Sequence, residues 1–162
     1  MIPDSKEAFV ARFGGVYEHS AWIAEDSWPA CQVAHNAEQL AVIMASSVES
    51  ASKHAKLELI RAHPDLAGRL ALAGELTADS SAEQASAGLD QCTPEEFEQF
   101  QTLNQAYVEK FEFPFVMAVR NSNRSDILEA FAARLGNAYE DEFATALAEI
   151  HKIARLRLEQ MF

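Results

Sequence analysis

The sequence predicts an all-α fold, a single-domain multi-helix bundle of about eight helices with one extended apolar segment near residues 111–119. Helix-capping signals recur along the chain, and the apolar residues between them are spaced three and four apart, as on one face of a helix. Only one segment has the apolar, β-prone composition of a buried strand. Because a single strand has no partner with which to form a sheet, helices must make the core.

Length and composition predict one domain over residues 1–162. A chain of 162 residues with 49% hydrophobic residues supports one core and is too short for two. No apolar run approaches the roughly 18 residues of a membrane span, and the N-terminus lacks the basic-then-apolar pattern of a secretory signal. Cys31 and Cys92 lack Cys-x-x-Cys spacing and indicate neither a redox pair nor a thiolate metal site. We therefore expect a cytoplasmic protein.

The formal charge of −12 narrows the possible partners. Nucleic acid and anionic membrane surfaces are polyanions that need a basic patch, so we expect neither as a partner. The same charge repels small anions at long range, so an anionic substrate requires arginines in its pocket. The arginines that bear on this requirement are Arg61, Arg69, Arg120 and Arg157.

The first 35 residues predict two short helices. Asp4, followed three residues later by Glu7, is a capping pattern, and the Gly-Gly pair at residues 14–15 ends the first helix. Residues 16–35 contain several aromatic side chains and Pro29, which interrupts a helix. We expect a short helix and an irregular connection there.

Three more helices are expected up to residue 73. Asn36 caps a helix that runs to about Ser50. Residues 52–62 form the next helix, which stops there because Pro64 disfavours helical geometry in the residue before it. Residues 65–73 are read as another short helix.

The middle of the chain contains the strongest helix start. Thr77 or Asp79 begins one helix, which Gly88 closes in the position where a left-handed residue is usual. Residues 93–96, Thr-Pro-Glu-Glu, then combine a threonine cap, proline at the first helical position and glutamate at the third. The helix that follows should run to about Lys110.

Residues 111–119 lack the periodic spacing of apolar residues that is typical of a helix. Their sequence is Phe-Glu-Phe-Pro-Phe-Val-Met-Ala-Val, and Pro114 prevents a helix from continuing. If this segment is buried without a partner strand, its backbone N–H and C=O groups need other partners. A ligand is one such partner; the alternative is a structural crossing whose backbone groups bind side chains or water.

Two helices complete the chain. Ser122 opens a helix that Gly136 ends. Asn137, with Glu140 three residues later, is the capping pattern of the last and longest helix, which runs from about residue 138 to near the C-terminus.

The apolar stripe of this last helix includes an arginine. With Ile150 at zero and about 100° per residue, Arg157 lies at about −20° and Arg155 at about 140°, on the solvent side. An inward guanidinium needs a carboxylate, from the protein or from a ligand, unless it reaches water past its neighbours. If a ligand supplies the carboxylate, Arg157 is unpaired in the empty site, and its removal leaves the ligand-free protein no less stable.

His63 is the candidate acid or base. It titrates near neutral pH and lies at a helix end. Ser80, Glu83 and Gln84 stand at i, i+3 and i+4, so they share one helical face, which could meet the histidine. The spacing alone favours a structural role, since His-Pro at a helix end and Ser-x-x-Glu at a helix start are both capping arrangements.

Other common site motifs are absent from the sequence. The remaining histidines show no H-x-x-x-H or H-x-x-E-H pattern, so no metal is expected. The chain also lacks a G-x-S-x-G elbow, a P-loop and a G-x-G-x-x-G loop, so acyl transfer and nucleotide chemistry have no support.

Residues 63–69, His-Pro-Asp-Leu-Ala-Gly-Arg, begin a longer combination of motifs. It continues with Leu76-Thr77, Ser80, Glu83-Gln84 and Ala87-Gly88-Leu89. This combination resembles the signature of the 2-oxo-4-hydroxy-4-carboxy-5-ureidoimidazoline (OHCU) decarboxylases of late urate breakdown. The resemblance extends over residues 57–158, through matching segments at 103–107, 110–115, 118–120, 127–131 and 149–158.

The resemblance implies a function. It implies a cofactor-independent carboxy-lyase that converts this acid to (S)-allantoin in urate and purine catabolism, acting on a small anionic substrate, as a homodimer and with no metal. It implies that His63 is the general acid and that Glu83 contacts the substrate and sets the environment of the histidine. The substrate-binding residues that it implies are Pro64, Ser80, Ser81, Ala82, Glu83, Gln84, Phe115, Val116, Met117, Ala118, Val119 and Arg157.

The sequence departs from the family pattern on both sides of the extended segment. Glu112 and Asn121 stand where glycine is common, and both could alter the turn geometry there. Two alternatives remain open: a helical binding domain that has lost the chemistry, and a related decarboxylase that acts on a neighbouring ureide acid.

Overall fold

A computed structural model of the chain describes residues 1–66 and 76–162. The described residues form eight α-helices, one 3-10 turn and no strand, which confirms the all-α class. None of these helices is long and apolar enough to cross a membrane. The short helix predicted over residues 65–73 falls mostly outside the described residues. The chain divides into two compact units, residues 1–62 with 147–162 and residues 63–146, while one domain over 1–162 stays a prediction.

The first unit consists of four helices and the C-terminal part of the last one. These elements are α1 (Lys6–Phe13), α2 (Trp22–Cys31), α3 (Ala37–Glu49), α4 (Lys53–Arg61) and the part of α8 (Tyr139–Met161) from residue 147 onward. Asn36 caps α3, as the sequence predicts, and Ser52, the first residue of the predicted next helix, is the cap of α4. Ser5 caps α1, so the expectation of Asp4 was wrong by one residue.

Pro29 does not interrupt the second helix. It lies inside α2, which ends two residues later, so the predicted interruption was wrong. A proline within a helix removes the hydrogen bond of its own nitrogen and crowds the preceding turn. Ile23, Ala24 and Cys31 are all buried on this helix, and their packing stabilises it against that loss.

The second unit contains the other helices. They are α5 (Ala78–Ser86), the 3-10 turn (Leu89–Gln91), α6 (Pro94–Phe111), α7 (Arg124–Leu135) and the first residues of α8. The capping box at the start of α6 is confirmed, because Thr93 and Glu96 each accept a hydrogen bond from the backbone N–H of the other at 3.1 Å. Gly88 has a φ of 77°, as expected for a residue that closes a helix.

Two helix starts in this unit differ from the prediction. Asn123, not Ser122, caps α7 by accepting a hydrogen bond from the N–H of Asp126 at 2.9 Å. The side chain of Asn137 donates to Glu142 Oε2 at 2.9 Å. That amide is therefore directed to a buried carboxylate, an interaction that a capping pattern does not predict.

Aromatic rings hold the extended segment in the core of the second unit. Tyr107 lies within 6 Å of the rings of Phe111, Phe113, Phe115 and Phe131, at centroid distances of 4.6, 5.8, 5.4 and 5.7 Å. Phe115 stacks on Phe131 at 3.8 Å and 8° between the ring planes. These contacts fix the rings of Phe113 and Phe115 within residues 113–119, which form neither helix nor strand.

Candidate active site

His63 is buried at the start of the second unit, with 7% of its surface exposed. The backbone that follows it is held by two amide side chains of the same unit. Gln84 Nε2 in α5 donates to the carbonyl of Asp65 at 3.4 Å, and Asn104 Nδ2 in α6 donates to the carbonyl of Leu66 at 3.1 Å. Helices α5 and α6 therefore fix the segment that carries the histidine.

The polar face predicted on α5 points into its unit. Ser80 and Gln84 are 6% and 5% exposed, and Glu83 is half-buried. Ser81 and Ala82, which the resemblance also implies as substrate contacts, are exposed. Through Gln84 this face reaches the segment after His63, while its contact with the histidine side chain stays a prediction.

Two buried side-chain oxygens belong to Asp65, which lies in this segment, and to Asn104, which binds its backbone. Oδ1 of Asp65 and Oδ1 of Asn104 have no hydrogen-bond partner among the described residues. Burial raises the pKa of the Asp65 carboxyl, because the charged form loses its hydration. Sequence reasoning gave neither residue a role, although Asp65 lies two positions after the histidine. Such acceptors suit a ligand or a water molecule that brings N–H or O–H donors.

The extended segment has an uneven hydrogen-bond pattern. Two of its carbonyls have partners: Val116 accepts from Arg134 Nη1 at 2.8 Å and Val119 from the N–H of Ser122 at 3.0 Å. Within the described parts of the chain, the N–H groups of residues 115–119 donate to no acceptor. Phe115, Val116 and Val119 are buried, so these amides can bind the oxygens of a ligand.

The two departures from the family pattern lie at left-handed positions of the backbone. Glu112 and Asn121 have φ of 60° and 66°, in the left-handed region that glycine adopts without steric cost. The backbone therefore has the conformation that favours glycine at both positions. The strain is roughly 1–2 kcal/mol for a residue with a side chain, and asparagine tolerates it best.

Arg157 is buried in the first unit, and it is paired. It is 4% exposed, and its Nη1 donates to Glu18 Oε2 at 2.9 Å and to the carbonyl of Val16 at 3.2 Å. Arg155 is exposed and contacts Glu159 at 3.0 Å, which confirms the predicted orientation of both arginines. The expectation that Arg157 is unpaired in the empty site was wrong, because Glu18 supplies the carboxylate.

Glu18 is the residue that sequence reasoning missed. It lies 139 positions before Arg157, in the irregular connection between α1 and α2, and is 2% exposed. No local pattern links two residues at that separation. The one available signal was the requirement that a buried guanidinium has a carboxylate.

A second histidine, outside the candidate site, contacts two side chains of the first unit. His151 lies 2.8 Å from the hydroxyl of Tyr17 and 2.9 Å from Glu49 Oε1. Among the described residues, no three His, Cys, Asp or Glu side chains are grouped so that they could hold a metal ion.

Sequence comparisons relate the chain to known proteins. A family model described as OHCU decarboxylase matches residues 4–159. The chain is 46% identical over 156 residues to a 2-oxo-4-hydroxy-4-carboxy-5-ureidoimidazoline decarboxylase of Halalkalicoccus jeotgali, covering 96% of this chain and 86% of that protein.

Two crystal structures share the fold. An (S)-allantoin synthase is 34% identical with a TM-score of 0.79, and the match covers 98% of this chain and 51% of that one. An OHCU decarboxylase crystallised in the presence of (S)-allantoin is 18% identical with a TM-score of 0.70, and the match covers 98% of both chains. At that identity, the second likeness concerns the fold alone.

The buried pair in the first unit predicts a stability difference between two arginines on one helix. Arg157→Ala leaves the buried Glu18 carboxylate without the guanidinium that neutralises it, so we expect the free energy of unfolding to fall by about 3–5 kcal/mol. Arg155→Ala removes an exposed i, i+4 contact and should change it by about 0.3–0.5 kcal/mol. Urea unfolding of the ligand-free proteins measures both changes. Equal stability of the two variants would show that the Glu18 contact contributes little.

The raised pKa of the partly buried Asp65 carboxyl predicts that replacing this residue stabilises the protein, by an amount that depends on pH. Because this pKa is raised on folding, the folded protein holds the proton more tightly than the unfolded chain does. The free energy of unfolding therefore falls as the pH rises from the unfolded pKa, about 3.9, through the folded pKa. Asp65→Asn should therefore raise the melting temperature at pH 7. The gain should vanish below about pH 4. Asp90→Asn, at an exposed position of the same unit, is the control, and an equal gain there would contradict the burial argument.

Proposed function

Because the chain belongs to the OHCU decarboxylase family, we propose that it removes the carboxylate of 2-oxo-4-hydroxy-4-carboxy-5-ureidoimidazoline and releases (S)-allantoin in the breakdown of urate. One structural observation supports this proposal most directly. The backbone after the buried His63 is held by Gln84, on the α5 face that also bears Ser80 and Glu83. A buried histidine thus directly precedes a backbone segment that a polar helix face holds.

The proposed reaction requires the protein mainly to orient the substrate and to supply a proton to it. Loss of carbon dioxide leaves an electron pair that the ring nitrogens and carbonyls of the substrate delocalise. The protein must hold the substrate so that one face of the ring receives the proton. His63 is the proposed general acid, and delivery to one face gives the (S) product. Glu83 is proposed to contact the substrate and to set the environment of the histidine.

The other proposed contacts hold the substrate in place. The N–H groups of residues 115–119, which have no acceptor within the described structure, are proposed to bind ring and ureido oxygens. Further proposed contacts come from Pro64, Ser80, Ser81, Ala82 and Gln84. Arg157 is proposed to hold a substrate oxygen or the carboxylate. A guanidinium carries five N–H donors, so contacts with Glu18 and with the substrate are chemically compatible.

The proposal includes a homodimer that acts in the cytoplasm without a cofactor. The homodimer and the independence from cofactors come from the family resemblance. The formal charge of −12 supports a small-molecule partner over nucleic acid or an anionic membrane, because neither polyanion is attracted to an acidic protein. An anionic substrate must overcome the same field, which gives the buried Arg157 its importance.

Optical activity tests the proposed reaction. The purified protein, given freshly generated substrate, should form (S)-allantoin faster than the spontaneous reaction, which gives the racemate. His63→Asn should keep the fold and much of the substrate binding, and should lower kcat by on the order of 10²-fold or more because no proton donor remains. Circular dichroism on the same samples verifies folding.

Three outcomes would count against parts of this proposal. Near-normal turnover by folded His63→Asn protein removes the histidine from the mechanism. Substrate binding without turnover by the wild type supports the inactive binding domain. Turnover of a related ureide acid in place of this substrate supports the neighbouring decarboxylase.

A pair of conservative substitutions tests the substrate contact of Arg157 separately from its structural role. Arg157→Lys keeps the positive charge beside Glu18 but lacks the planar fork that binds two groups at once. We expect kcat/KM to fall roughly tenfold or more. Arg155→Lys, on the exposed side of α8, should leave it within about twofold. An unchanged kcat/KM for folded Arg157→Lys would confine Arg157 to the salt bridge.

A further inference from the structure

A buried carboxylate lies at the centre of the second unit. Glu142 is 0% exposed, and its oxygens accept hydrogen bonds from three side chains. Tyr107 donates its hydroxyl to Oε1 at 2.5 Å, Arg134 Nε donates to Oε1 at 2.8 Å, and Asn137 Nδ2 donates to Oε2 at 2.9 Å. The charge is thus both paired and hydrogen-bonded, which its burial requires.

The partner arginine connects this carboxylate to the extended segment. While its Nε contacts Glu142, Nη1 of Arg134 donates to the carbonyl of Val116 at 2.8 Å. Its guanidinium carbon lies 4.2 Å from the centroid of the Phe115 ring, in a cation–π contact. Nη2 lies 2.6 Å from Glu142 Oε1 without hydrogen-bonding geometry, so that contact is electrostatic.

The contact with Glu142 fixes the orientation of the Arg134 guanidinium. A planar guanidinium bound at Nε has little freedom to rotate, so Nη1 points in one direction. The raised pKa of Tyr107, caused first by burial and then by the bond to Glu142, keeps its hydroxyl a donor. Arg134 consequently fixes residues 115–116 by their backbone and by their ring.

We propose that Glu142, acting through Arg134, positions the backbone N–H groups of residues 115–119 for the substrate, so that both are positioning residues of the decarboxylase. This inference rests on the proposed function and deepens it. Because Arg134 binds the carbonyl side of Val116, it leaves the amide side of the segment to a ligand. A segment in neither helix nor strand has no ladder to set its position, and these contacts take that place.

The chain offers a matched control for this arginine. Arg124 also joins a carboxylate to a backbone carbonyl in the second unit: its Nε lies 2.8 Å from Glu96 Oε2 and its Nη1 lies 3.0 Å from the Gly88 carbonyl. Among the described residues, neither the hydrogen bonds nor the ion pair of that arginine involve residues 115–119. Arg134→Lys and Arg124→Lys therefore remove the same chemistry from two places, and only one of them anchors the extended segment.

The test measures KM and kcat for the substrate, together with the dissociation constant of (S)-allantoin. Arg134→Lys should raise KM and the dissociation constant roughly tenfold, with kcat changed less than about threefold, since a lysine cannot bind Glu142 and Val116 together. Arg124→Lys should change all three by less than about twofold. Hydrogen exchange at the amides of residues 115–119 should quicken in Arg134→Lys only. A purely structural arginine would lower the melting temperature without moving KM.

Asn137→Ala gives a milder version of the same change. It removes one donor to Glu142 and leaves the Arg134 contacts in place, so KM should rise by a smaller factor. Folded Arg134→Lys protein with a wild-type KM overturns the inference while the proposed function stands. If Arg134→Lys does not fold, an unchanged KM in Asn137→Ala overturns it. A wild-type protein without decarboxylase activity overturns the proposed function, and this inference with it.

Discussion

A charged group that is buried away from water must be paired inside the protein. Each unit contains an arginine–glutamate pair that meets this requirement. In the first unit Arg157 is held by Glu18, and in the second Arg134 is held by Glu142. Breaking such a pair costs more than the pair itself contributes to stability, because the remaining charge stays buried. Each pair therefore fixes side chains with little freedom to rearrange. Each also involves an arginine with a proposed role in substrate binding, Arg157 as a contact and Arg134 through the backbone that it holds.

The same constraint shapes the extended segment. Backbone groups without helical or strand partners must be satisfied in other ways, and here the carbonyls and the amides differ. The carbonyls of Val116 and Val119 accept hydrogen bonds from Arg134 and from the N–H of Ser122. The amides of residues 115–119 have no acceptor within the described structure. A segment rich in unused donors is suited to a substrate rich in carbonyl and carboxylate oxygens. The segment is thus structural on one side and available to a ligand on the other.

The surroundings of His63 combine fixed backbone with buried acceptors. Gln84 and Asn104 hold the two carbonyls that follow it in the chain, and Oδ1 of Asp65 is buried without a partner among the described residues. Burial raises the pKa of the Asp65 carboxyl, because the charged form loses its hydration. The formal charge of −12 opposes the approach of a small anion at long range, so binding of an anionic substrate depends on donors within the site.

The sequence by itself determined the helices, most of their ends and the side of α8 on which Arg157 lies. The capping box at Thr93, the cap at Asn36 and the left-handed Gly88 follow from residues within one turn of each other, so local patterns suffice to predict them. The motif around His63 likewise pointed to the family. Only the tertiary structure decided the partners of buried groups.

Glu18 lies 139 positions from Arg157, and Asn137 turns its amide to Glu142 instead of capping a helix. The uninterrupted α2 likewise depends on packing that stabilises a helix containing Pro29. Partner choice depends on which side chains are brought together on burial, and a buried polar group accepts any partner of suitable geometry. Sequence spacing encodes the faces of a helix, whereas the contacts between distant faces exist only after the chain has folded.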